Sequence, residues 1–241
     1  MKMARVFREY ETTEDGEIGG ERTGELWNSR SSDMTRPEDR ARAAATINPD
    51  SLEVAKGAIA VGCRLFLNRL DRLEAGLENV RTAQDAGRFA LATSMYLLAS
   101  LPLKPETCPF CVQHSGGNRC KGCGYAETHG GRCDADTSAF GQLVEAVYDL
   151  AGLIHEIRED LPVAGIDPDD GRKILKSSIE RSRESSKILL VAILEAGVCE
   201  LMAEKRDYIE AILKALPVNF MDSQEVEASL EDIKAKLVRY W

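Results

Sequence analysis

Large apolar residues in two stretches of this chain recur at alternating steps of three and four, the spacing of one helix face packed against another. From Ile59 the steps run 4, 3, 4, 3, 4, 3 through Cys63, Phe66, Leu70, Leu73, Leu77 and Val80. From Phe140 they run 3, 4, 3, 4, 3, 4 through Leu143, Val147, Leu150, Ile154, Ile157 and Leu161. A strand would alternate every second residue, so these seams demand helices. Composition agrees: aromatic residues are only 6% of 241, and Leu and Ala dominate the apolar set. The fold class expected is all-α, an antiparallel helical bundle carrying an inserted small cysteine-rich metal-binding module.

The chain breaks into four parts on the same grounds. Residues 1–34 read as a mobile acidic N-terminal arm. Glu11 to Glu25 holds six acidic residues and four glycines, with Ile18 its one large apolar side chain, too little to offset the entropy of ordering. Residues 35–107 form the first helical part. Thr35-x-x-Glu38 is a capping box, and Asn48-Pro49 is a cap followed by a proline in the first turn. Asp85-Ala86-Gly87 allows a break, and Pro102 and Pro105 stop the helix that follows. Residues 108–133 form the cysteine module, and 134–241 the second helical part. In that last part Asp134 or Asp136 serves as a cap for the Phe140 seam. A proline-free helical pattern covers 172–216, one helix or two with a bend at Ser185-Ser186 or Gly197. Asp222-x-x-Glu225 is a second capping box.

Five of the seven cysteines and two of the three histidines lie between Cys108 and Cys133. Two Cys-x2-Cys pairs, Cys108/Cys111 and Cys120/Cys123, are separated by eight residues. Each pair presents two thiolates from one turn, and two turns complete a tetrahedron. The favoured ligand set is therefore Cys108, Cys111, Cys120 and Cys123, with zinc as the cofactor. Cys133 is an alternative ligand, His129 a less favoured one, and His114 reads as a solvent or outer residue. A [4Fe–4S] cluster also takes four cysteines, but the dense ferredoxin spacing is missing. Cys108-Pro109-Phe110-Cys111 has the form of a redox-active pair as well, a reading that needs a strand before it. Cys63 sits in an apolar seam and reads as a core residue.

The module resembles five-cysteine segments of small uncharacterised phage and prokaryotic proteins. The matching residues are Cys108, Pro109, Cys111, Cys120, Gly122, Cys123, Tyr125, Gly130 and Cys133, with Gly124 where those segments carry a proline. The resemblance covers about a tenth of the chain and implies metal binding and no activity.

The net charge of −9 argues against coating nucleic acid through overall charge. One local exception is the run Arg172, Lys173, Lys176, Arg181, Arg183 and Lys187, which offers a basic helix face for phosphate or an acidic partner. There is no phosphate-binding glycine loop, no His-Glu-x-x-His and no nucleophile elbow. The N-terminus lacks a signal-peptide core, and the most apolar run is too short to span a bilayer. The expectation is a cytoplasmic, non-enzymatic zinc-binding interaction or adaptor protein with a protein partner and no membrane. Two alternatives stand beside it. One is an iron–sulfur electron-transfer or redox-sensing subunit, the other a nucleic-acid-associated zinc protein using the 172–187 face.

Overall fold

Helix caps and apolar spacing account for most of the observed elements. The computed structural model describes residues 37–114, 122–128, 133, 137–157, 166–221 and 223–241. The chain divides into two units, Met1–Ser32 and Asp33–Trp241, and every described residue belongs to the second. The acidic arm, the Thr35 cap and the proposed caps Asp134, Asp136 and Asp222 lie outside the described residues. Among the described residues every regular element is helical: α1 Pro37–Ala44, α2 Pro49–Gly76, α3 Ala83–Ala99, α4 Pro109–Gln113, α5 Gly124–Thr128, α6 Ala139–Ile157, α7 Pro168–Ala192, α8 Val198–Ala215 and α9 Gln224–Tyr240.

The start of α2 follows its sequence signal. Asn48 Oδ1 accepts the Ser51 N–H at 2.8 Å, and Pro49 opens the first turn. Its end does not. The helix stops at Gly76, a single 3-10 turn spans Leu77–Asn79, and α3 begins at Ala83. The expected break at Asp85–Gly87 falls inside α3 because Asp85 belongs to a cap. Thr82 Oγ1 accepts the Asp85 N–H at 3.0 Å, and Asp85 Oδ2 accepts the Thr82 N–H at 3.0 Å. Leu77 and Val80 are nonetheless buried, so their spacing reports contact with the core rather than helix.

Residues 172–216 form two helices, with Gly197 capping α8. Ser223 caps α9 through the Val226 N–H at 3.4 Å. At α6 the capping hydroxyl is Ser138, which accepts the Gly141 N–H at 2.8 Å and donates to the Cys133 carbonyl at 2.8 Å. That hydroxyl ties the start of α6 to the last cysteine of the module.

The seams face inward. Ile59, Cys63, Phe66 and Leu70 of α2 and Leu143, Val147, Leu150 and Ile154 of α6 are buried, each aliphatic contributing about 1.5–3 kcal/mol by leaving water. Burial pushes the Cys63 thiol up to about 11, in keeping with a core residue. α6 packs on α9, α7 on α8, and α2 on α7. α2 and α7 run antiparallel: Arg183 Nη2 reaches Glu74 Oε2 at 2.6 Å and Asp71 Oδ1 at 3.1 Å, while Lys56 Nζ reaches the Leu194 carbonyl at 3.3 Å. Ser178, Ser182 and Ser186 of α7 are fully buried, their hydroxyls donating to carbonyls four residues earlier at 3.2, 2.8 and 2.9 Å. Small side chains that satisfy themselves let neighbouring helices approach α7 closely. Among the described residues no helix is long and apolar enough to cross a membrane.

Candidate metal centre

The first Cys-x2-Cys pair lies on α4. A 3-10 turn at Pro105–Thr107 leads into Cys108, which caps α4 with Pro109 in its first turn. Among the described residues no strand precedes this pair, and the segment leading directly into it is the 3-10 turn. The Cys108 sulfur accepts backbone N–H groups from Phe110 and Cys111. The second pair repeats the device: Cys123 precedes α5, and its sulfur accepts the N–H groups of Tyr125 and Ala126. Gly122 has φ 76°, the one positive φ among the described residues, and gives the turn a backbone angle that only glycine adopts without strain. Gly124 serves a different need. A Cβ there would lie 3.0 Å from Thr46 Oγ1 and 3.1 Å from Ala43 Cα, so its absence lets α5 rest directly on the end of α1.

No disulfide joins Cys108, Cys111, Cys123 and Cys133 to one another. The Cys111 and Cys133 sulfurs lie 4.0 Å apart, twice the length of a disulfide bond. With zinc–sulfur bonds of about 2.3 Å, the sulfurs of a tetrahedral centre stand about 3.8 Å apart, close to that separation. Cys111 also hydrogen-bonds Cys108. Two of the three thiols therefore flank Cys111. Among the described residues, no three Cys, His, Asp or Glu side chains close tightly enough to hold a metal ion. Cys120 and His129 lie outside the described residues. His114 ends α4, and its Nε2 is buried with no hydrogen-bond partner among the described residues.

The electrostatics favour negative charge at Cys108. The hydrogen bond from Cys111 holds its thiol below the ordinary cysteine range, helped by Lys205 and the two backbone N–H groups and opposed by burial. Cys111 moves the other way, because it donates to Cys108 and meets Cys133 as well as being buried. Burial raises Cys123, and its two N–H donors counter the shift. Cysteine sulfurs are soft, polarisable donors, of the kind that suits zinc or iron rather than magnesium or calcium.

Lys205 is a feature that sequence reasoning missed. It is 1% exposed. Its Nζ donates to the Thr107 carbonyl at 3.0 Å and to Tyr240 Oη at 3.3 Å, and sits 5.9 Å from the centroid of the Tyr240 ring. Burial drives its pKa down, and the charges that oppose this are those of Cys108 and Cys111. The sequence did carry a signal for it. Leu201, Lys205, Tyr208 and Ile212 step by 4, 3 and 4, which puts the lysine in an apolar seam.

The module is also sewn into the core by aromatic rings. Phe110 and Tyr125 meet Trp241 with ring centroids 5.8 and 6.0 Å away, the second pair stacked within 9°. Phe110 and Tyr125 lie 5.8 Å from each other. Tyr125 Oη donates to the Tyr240 carbonyl at 3.2 Å, and Arg206 Nη1 donates to the Trp241 carbonyl at 3.1 Å. The last two residues of the chain thus cap the cysteine segments.

The basic run on α7 is largely occupied. Arg172 pairs with Asp169 and donates to the Val80 carbonyl at 2.6 Å; Lys173 pairs with Asp170 at 2.9 Å and Lys176 with Glu180 at 3.9 Å. Arg181 donates to the Lys214 carbonyl at 3.4 Å, and Arg183 is held by Asp71 and Glu74. Lys187 is exposed on the same helix. Against this background of geometry, no protein-family model, curated protein or solved structure matches the chain.

Proposed function

We propose that this chain is a zinc-binding, non-enzymatic interaction protein: an antiparallel helical bundle with a small inserted metal module that fixes its binding surface. The observation that carries the reading is the 4.0 Å contact between the Cys111 and Cys133 sulfurs, with Cys108 hydrogen-bonded to Cys111 and no disulfide among them. Zinc would be held by Cys108, Cys111 and Cys133, drawn closer together than they stand among the described residues, with the fourth thiolate from Cys120 or Cys123. This set departs from the favoured four-cysteine assignment by drawing in Cys133, which Ser138 holds at the start of α6. The metal's chemistry there is structural: a closed four-thiolate shell with no open position for substrate.

A protein partner is supported by apolar side chains pointing away from the core. Val61 and Leu65 on α2 and Ile188 and Val191 on α7 are each more than half exposed. The antiparallel register of the two helices puts Val61 level with Val191 and Leu65 with Ile188. The basic residues of α7, engaged with nearby carboxylates and carbonyls, offer less to phosphate than their number suggests.

Elemental analysis of the purified protein, with single Cys→Ser variants, tests the metal reading. The expected result is about one zinc per chain, lost in Cys108→Ser, Cys111→Ser and Cys133→Ser and in one of Cys120→Ser and Cys123→Ser. Full zinc content in Cys133→Ser would restore the set of Cys108, Cys111, Cys120 and Cys123. A coloured protein with stoichiometric iron and sulfide would replace zinc by an iron–sulfur cluster.

A further inference from the structure

We infer that Lys205 is a positioning residue for the cysteine centre, its buried ammonium acting as the built-in countercharge of the thiolates that would hold the metal. The inference rests on the metal reading above and adds to it the residue that sets the charge of the site.

An ammonium out of water is penalised by several kcal/mol unless charge and hydrogen bonds compensate it. Lys56, the other buried lysine of the described core, has the usual remedy, a carboxylate at 2.9 Å from Glu53. Lys205 has a carbonyl, a phenol hydroxyl and a ring face. All three are partial charges, and among the described residues no carboxylate pairs with it. The carbonyl it binds belongs to Thr107, the residue before Cys108, so the same contact fixes where the first ligand begins.

A zinc ion with four thiolates keeps a net double negative charge. Buried beside the aromatic residues of the module, that charge needs a cation, and the ammonium of α8 supplies one. The two burials are each unfavourable alone and compensate each other when metal is bound. Without metal the negative charge of the centre is no longer fixed, and replacing a buried ammonium by an apolar side chain of similar length is then neutral or stabilising. The inference therefore predicts opposite signs for one substitution in two states of the protein, a pattern that loss of simple packing does not produce.

The test uses full-length protein, zinc-loaded and zinc-free, as wild type, Lys205→Met and Lys205→Gln. Zinc affinity is read by competition with a chromophoric chelator, and thermal midpoints by far-UV circular dichroism. Lys205→Met is expected to weaken zinc binding about 10-fold or more, the scale of outer-shell partners at metal sites, while its zinc-free midpoint stays level or rises. In the cobalt-loaded variant the thiolate-to-metal charge-transfer band should move to lower energy, because the sulfur lone pairs lose a stabilising cation. Unchanged zinc affinity overturns the inference and leaves the zinc reading intact. Equal losses of midpoint with and without zinc overturn it as well, as do variants of both kinds that fail to fold when zinc-free. Wild-type protein that takes up no zinc overturns both readings.

Discussion

Gly124 and Lys205 show how much rests on single residues whose neighbours lie far away in the chain. A methyl group at position 124 would press on the backbone of Ala43 at 3.1 and 3.2 Å, and backbone yields less readily than a side-chain tip. Gly124→Ala is expected to cost about 1–3 kcal/mol through overpacking, read as a lower midpoint in chemical denaturation. A wild-type midpoint in that variant would mean that α1 and α5 do not meet as closely as the structure has them. Lys205 is the complementary case, a polar group admitted to the core because the Thr107 carbonyl and the hydroxyl and ring of Tyr240 surround it.

Among the elements, the junction of α2 and α3 is the clearest example of a local cap overruling a long apolar pattern. Thr82 and Asp85 bond each other reciprocally, and this starts a new helix where the seam alone would have continued the old one. Thr82→Ala should therefore lower stability by about 1 kcal/mol, measured by urea denaturation at neutral pH. The Thr82 hydroxyl and the N–H groups of Arg81 and Thr82 hold the Asp85 carboxyl below 3.8. A carboxyl depressed on folding contributes stability that is present above its unfolded value of 3.8 and is lost as pH falls through the folded one. The difference between wild type and Thr82→Ala should accordingly shrink in acid below 3.8. A difference that stays constant down to the lowest pH would assign the effect to the hydroxyl alone.

At the scale of the whole molecule, loss of the zinc proposed above would spread beyond the cysteine segments. Considered as a loop with few apolar residues, the module could unfold by itself and leave the helices untouched. The rings argue otherwise, because Phe110 and Tyr125 are buried against Trp241, and Tyr125 Oη bonds the Tyr240 carbonyl. If zinc is bound as proposed, its chelation should raise hydrogen exchange in α4, α5 and the second half of α9, while the buried stretches of α2 and α7 keep their protection. If α9 exchanges at the same rate with and without metal, the C-terminal contacts are independent of the centre.

What the sequence alone determined are the properties that nearest neighbours decide. Period 3.6 and the Asn48 cap with Pro49 in the first turn set helices, and the crowding of cysteines at 108–133 marked out the candidate site. Each of these is an interaction between residues a few positions apart, so a linear reading captures it. The Thr82 cap was equally local and was missed because the seam through Leu77 and Val80 suggested a longer helix. Other decisions belong to the tertiary structure. That Cys133 meets Cys111, that Lys205 of α8 lies under Thr107, and that Tyr240 and Trp241 close over Phe110 and Tyr125 depend on how α8, α9 and the start of α6 come together. Those contacts join residues from 22 to 131 positions apart, where burial and shape across the whole core, rather than any local preference, choose the partner.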